Sequence, residues 1–136
     1  MRFASVLIAG ISLSISSCGP KTSTTLVFPN GFSGMFHIYQ GNIASTYDAK
    51  SHALILHVPD DGALTVSFSD YKLFGDPSRC HYQFASGISI PFAGAFGNSA
   101  PKPCVVMERA TVTEQSANGE REIWELSRWE GEVLTK

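Results

Sequence analysis

The 136-residue sequence is short of several things that would announce a chemistry. Charged residues make up only 16% of it and no run of lysine or arginine occurs, so the electrostatic footprint of a nucleic-acid binder is missing. There are four histidines, His37, His52, His57 and His81, but none form the H-x-H or H-x-x-x-H spacing common in sequence-built metal sites. No G-x-S-x-G occurs, and the serines fall mainly in the N-terminal run, in turns and on expected solvent faces, which argues against a Ser-His-Asp hydrolase. No apolar stretch reaches the roughly 20 residues that a membrane-spanning helix needs. Nor is there a helical period worth naming. With three cysteines, the chain is also no multiply stapled scaffold.

What is present begins at the N-terminus. Met1-Arg2 supplies a positive charge and Phe3–Ile15 an apolar run interrupted only by Ser and Gly. That run is too short for an anchor helix and reads as a signal peptide. It ends in Ile15-Ser16-Ser17-Cys18, the order of a bacterial lipobox: aliphatic, small, small, cysteine. The Cys18 thiol takes a diacylglyceryl thioether, and small residues before it fit the peptidase that frees its amine. The acyl chains contribute about 0.8 kcal/mol per buried methylene, so two or three of them anchor the chain firmly. Gly19 follows, where an aspartate would favour inner-membrane retention by resemblance to enterobacterial lipoproteins, so the outer membrane, facing the periplasm, is expected. Residues 1–17 are thus a signal peptide, 18–25 a flexible polar tether, and 26–136 a single domain. Losing Arg2 with the signal moves the charge balance one step further acidic than the formal −2.

With Cys18 committed to lipid, Cys80 and Cys104 remain as an even pair in an oxidising compartment, and a disulfide between them is expected. Closing a loop of about 25 residues contributes on the order of 3 kcal/mol in the chain-entropy model.

The body of the chain reads as short strands separated by turns. Val27–Tyr39 is strand, shaped turn at Pro29-Asn30-Gly31, then strand. Ala53–Val58 and Ala63–Ser69 flank Pro59-Asp60-Asp61-Gly62 and are expected to pair as a hairpin, with Leu64, Val66 and Phe68 on the buried face. Asp70–Arg79 is expected to be a loop. Cys80–Ala85 and Ile88–Phe92 are possible strands, Ala93–Pro103 a Gly/Pro-rich loop, and Cys104–Glu114 extended with Val105, Met107 and Val112 inward. Asn118-Gly119 is a strong hairpin signal leading into Glu122–Trp129, with Trp124 and Leu126 inward. The pattern predicts an all-β fold, a small antiparallel β-sandwich of seven to eight strands without internal repeats.

The paired segments V-F-P-N-G-F-S-G-M-F-H-I-Y (27–39) and H-V-P-D-D-G-A-L-T-V (57–66) resemble a group of small bacterial lipoproteins of unknown function. Their mature domains look like carboxypeptidase-regulatory or transthyretin-type sandwiches. The resemblance implies that fold and brings no catalytic residue.

His37 and His57 are expected to point outward on strands that can be neighbours, and two solvated imidazoles are preferred over a metal pair. Adjacent strand residues face opposite ways, so Cys80-His81 is no nucleophile–base dyad. Asp60-Asp61 are expected to cap their turn. The candidate contact residues are Trp129 and, in the glycine-rich loop, Phe92 and Phe96. Neither cofactor nor metal is expected. The expected function is a non-enzymatic, lipid-anchored envelope module that binds an unknown protein or cell-wall partner. The alternative is an inhibitor or immunity lipoprotein that blocks an enzyme or toxin with a loop stapled by Cys80–Cys104.

Overall fold

The computed structural model describes residues 21–95, 99–115 and 123–136. Cys18, Phe96 and Asn118-Gly119 lie outside the described residues, as do the side chains of Val112, Trp124 and Leu126. The chain folds as a two-sheet β-sandwich, as its alternating apolar pattern predicts. One sheet holds β1 (Ser23–Phe28), β3 (Ala53–His57) and β5 (His81–Phe84) in the order β3-β1-β5. The other holds β2 (Gly34–Gly41), β4 (Ala63–Ser67), β6 (Cys104–Gln115) and β7 (Ile123–Leu134) in the order β4-β2-β7-β6. Among the described residues no helix is long and apolar enough to cross a membrane.

The expected Ala53–Ser69 hairpin does not form. Both Pro-Gly corners carry the chain from one sheet to the other, so each strand-turn-strand unit is an arch across the core. Arch β1–β2 turns at Pro29–Gly31, where Pro29 O accepts from Phe32 N at 3.0 Å and Gly31 has φ +74°. Arch β3–β4 turns at Pro59–Gly62, where Pro59 O accepts from Gly62 N at 2.9 Å and Gly62 has φ +75°. Because the corners are alike, the arches stack in parallel: β1 on β3 from Ser23↔Ala53 to Val27↔His57, and β2 on β4 from His37↔Ala63 to Gly41↔Ser67. The 27–39 and 57–66 segments are therefore a two-fold structural repeat, contrary to the expectation of none. The sandwich is also mixed, not antiparallel, since β5 joins β1 in parallel and only β2–β7 and β6–β7 run antiparallel. Asp61 Oδ1 accepts from Ala63 N at 3.0 Å, the turn-capping role expected of that pair.

Alternate residues of both sheets fill the space between them: Leu26, Phe28, Leu54, Leu56 and Tyr82 from one, Phe36, Ile38, Leu64, Val66, Val105, Met107 and Val133 from the other. Phe28 meets Phe36 edge-on at 4.9 Å. The β4 alternation stops at Val66. Ser67 turns its hydroxyl to accept from Asp70 N at 3.0 Å and caps helix α1 (Phe68–Phe74), which leaves Phe68 55% exposed instead of buried. The loop expected over 70–79 is thus this helix followed by a 3-10 turn, Pro77–Arg79. Two turns of helix are too short to show a period; the cap at Ser67 and the i,i+3 pair Tyr71 and Phe74, both buried, are its only signals. Asp70 anchors it. This buried carboxylate accepts from Ser45 Oγ, Thr46 N (2.7 Å) and Thr46 Oγ1 (3.3 Å). Burial raises its pKa, but these hydrogen bonds outweigh that and hold it below the ordinary aspartate value.

Two further expectations fail. Ile88–Phe92 makes only isolated bridges, Gln83↔Ser89 and Phe92↔Val105, rather than a strand. Cys80 and Cys104 are free thiols. Cys80 precedes β5 at the end of its sheet where β1 begins, whereas Cys104 opens β6 in the other sheet, beside Leu134 and near the arch corners. Opposite sheets and opposite ends separate them beyond disulfide reach.

Candidate functional site

The inner face of the four-stranded sheet changes character along its length. Paired residues share a face, so register reads it directly. Val133 and Val105 lie opposite each other near the arch corners, and Phe36, Gly131 and Met107 form the next row. The third row is Ile38, Trp129 and Arg109. Two residues further along stand Gln40 on β2 and the pair Ser127↔Thr111. The hydrogen bonds to β2 end at Trp129, and beyond it β6 and β7 continue as a two-stranded ribbon to Gln115↔Ile123. An apolar interior thus gives way to an amphipathic aromatic, a guanidinium and then polar side chains as the sheet emerges from beneath α1.

Where it emerges, a cleft of about 280 Å³ opens between the sheet and α1, lined by Gln40, Tyr71, Lys72, Gly75, Arg109 and Trp129. Trp129 is half-buried and meets Phe74 of α1 edge-on at 5.7 Å, which sets the ring's position. The Arg109 guanidinium carbon lies 6.0 Å from the Trp129 ring centroid, and its Nη2 donates to Ser127 Oγ at 3.1 Å. Stacking and hydrogen bond together hold a normally mobile cation in one place. Lys72 adds a second cation from the last turn of α1, and Gly75 ends the helix with φ +49°. Among the described residues no carboxylate lines the cleft, although the chain as a whole is acidic. Tyr71 forms part of its wall and is buried, with its hydroxyl shielded from solvent and without a hydrogen-bond partner among the described residues. An unmade bond of that kind costs about 1–3 kcal/mol.

A larger groove of about 530 Å³ runs beside the start of β1, lined among others by Lys21, Leu73, Asp76, Arg79, Cys80 and His81. Its charge is partly neutralised internally, since Arg79 Nε lies 3.6 Å from Asp76 Oδ2. Burial pushes its Cys80 thiol up to about 12, with the Tyr82 hydroxyl opposing and the Asp76 charge adding, which disfavours the thiolate.

Of the expected contact residues, Trp129 belongs to the cleft. Phe92 does not; it stacks on Tyr82 at 6.0 Å and 16° and packs against the core. The absent Cys80–Cys104 staple removes what would have held a protruding loop. His37 and His57 lie on strands of different sheets, not on neighbouring strands. His37 instead faces Glu130, Nδ1 to Oε1 3.8 Å, on the outer surface. Among the described residues no group of three or more His, Cys, Asp or Glu is arranged to hold a metal ion. Arg109, Lys72, Tyr71 and Gln40 join Trp129 in the cleft without any signal in the sequence. Only the β6–β7 register and the presence of α1 bring them to Trp129, and neither is visible in residue spacing.

No protein-family model matches the chain. No curated protein matches it either. Among solved structures, it is similar to the 2.75 Å crystal structure named "Putative Lipoprotein from Bacillus anthracis", with 12% sequence identity and a TM-score of 0.45, covering 85% of this chain and 71% of that one.

Proposed function

We propose that this chain is a lipid-anchored envelope protein whose sandwich binds a ligand without transforming it, and that the Trp129 cleft is its binding site. The observation that carries the reading is the third row of the inner sheet face, where Trp129 and Arg109 replace core residues at an opening beneath α1. A half-buried aromatic fixed edge-on, beside a positioned cation, is the usual make-up of a recognition site. Attachment is supported by the order of charge, apolar run, Ile15-Ser16-Ser17-Cys18 and polar tether. Gly19 favours the outer membrane, with the domain in the periplasm.

The two halves have separate tests. Radioactive fatty acid should label the wild type and not Cys18→Ser, which should persist as uncleaved precursor; equal labelling would contradict the anchor. For the site, backbone NMR of the domain titrated with size-fractionated envelope extract should show shifts confined to Gln40, Tyr71, Lys72, Gly75, Arg109 and Trp129. Shifts centred instead on the Gly/Pro loop near Phe92 would favour the inhibitor reading.

A further inference from the structure

The cleft has the composition of an anion site, and its geometry narrows the ligand further. Arg109 and Lys72 line it from different elements, β6 and α1, so two cations border one opening. The guanidinium is pre-set by Trp129 and Ser127. A planar fork held in one orientation suits a carboxylate or phosphate, which it can grip with two parallel hydrogen bonds. Gln40 adds an amide to the lining, able to donate or accept. Tyr71 lines the cleft as well, its hydroxyl shielded from solvent and without a partner among the described residues. The volume of about 280 Å³ lies just below the range usual for drug-sized ligands, which sets the occupant at about one ring with its substituents. Among the described residues no acidic side chain lines the cleft to compete; Glu130, paired with Arg128, lies on the opposite face of β7 by strand alternation.

We infer that the Trp129 cleft takes the oxyanion of a small envelope ligand, a carboxylate or a phosphate, between Arg109 and Lys72. This rests on the reading of the cleft as the binding site and names the chemistry that site selects. A free anion and one carried on a sugar ring share the same recognition, so the probes must separate them.

The experiment is a titration of the full mature chain in a Trp124→Phe background, following Trp129 fluorescence with inorganic phosphate, glucuronate and glucose. Saturable change with phosphate or glucuronate, and none with glucose at equal concentration, is the expected result. Glucuronate binding at least tenfold tighter than phosphate would assign the anion to a ring-bearing ligand; the reverse order would assign it to phosphate itself. Arg109→Gln should weaken the bound anion at least tenfold and Lys72→Gln by about threefold to tenfold. Tyr71→Phe, which removes a hydroxyl shielded from the cleft, should leave anion binding unchanged and the melting temperature unchanged or higher. Raising the salt concentration should loosen binding, as it does for any exposed charge contact. Equal binding of glucose and glucuronate, unaffected by Arg109→Gln, would overturn the oxyanion and leave the cleft standing as a binding site. No response to any of the three probes, in a folded protein whose cleft does respond to envelope extract, would overturn it as well.

Discussion

The ring of Phe36 rests on the backbone of Gly131, so closely that a β-carbon at 131 would lie 2.2 Å from the nearest ring atom. The two residues are cross-strand partners on the inner face, and Met107 completes the row on the other side of Gly131. Glycine at this point in a central strand looks like a weakness until the ring above it is counted. It lets a fully buried phenylalanine reach Phe28 and close the two sheets on each other.

Gly131→Ala should therefore destabilise by about 1–3 kcal/mol, as overpacking of a filled core does. Phe36→Leu alone should also destabilise, through a cavity. The double variant should lose less than the two single losses together, by about 0.5 kcal/mol or more, because the smaller side chain makes room for the new methyl. Urea denaturation of the four proteins measures the coupling. Strict additivity would mean that the ring and the glycine are not in the contact described.

The two corner glycines offer a comparison within one protein. Both have positive φ, but a β-carbon at Gly31 meets nothing within 4 Å, whereas one at Gly62 would lie 2.6 Å from Met35 O. That difference is a consequence of stacking, since the second corner packs against the first. Gly31→Ala should cost about 1–2 kcal/mol, the penalty of the left-handed conformation alone. Gly62→Ala should cost clearly more. Equal costs from melting curves would contradict the stacked arches.

Much of this fold is legible in the residues. The Pro-Gly corners, the aliphatic run of β3, the alternation of β4 as far as Val66 and the extended β6 all stand where composition and period place them. What sequence could not supply is partnership. A proline-glycine turn looks the same whether its strands hydrogen-bond to each other or face each other across a core, so the Ala53–Ser69 arch reads as a hairpin. The cysteine pairing failed for the same reason: parity and compartment say nothing about which end of which sheet each thiol occupies. The short α1 was hidden because tertiary contacts, chiefly Asp70 to Ser45 and Thr46, hold it in place of a repeating pattern. The candidate site was half legible. Trp129 stood out alone, while its companions needed the β6–β7 register and that same helix.

Asp70 also makes stability pH-dependent in a defined direction. Its hydrogen bonds depress the folded-state pKa below the unfolded value of about 3.9. The contribution is thus complete above about pH 5 and is lost as pH falls through the depressed value. Asp70→Asn should destabilise by about 1–3 kcal/mol at neutral pH. The gap between variant and wild type, read from urea midpoints, should hold steady above about pH 5 and close below about pH 4. A gap that widens on acidification would mean the carboxylate is not the acceptor described.

The most direct test of the account is a crystal structure of the mature chain grown with glucuronate, with the occupied site located in density. The account predicts the carboxylate in the cleft beneath Trp129, about 2.7–2.9 Å from the Arg109 guanidinium nitrogens and beside Lys72, with the sugar ring toward Gln40. A carboxylate seated instead in the larger groove at Lys21, Arg79 and His81, with the Trp129 cleft empty, would contradict it.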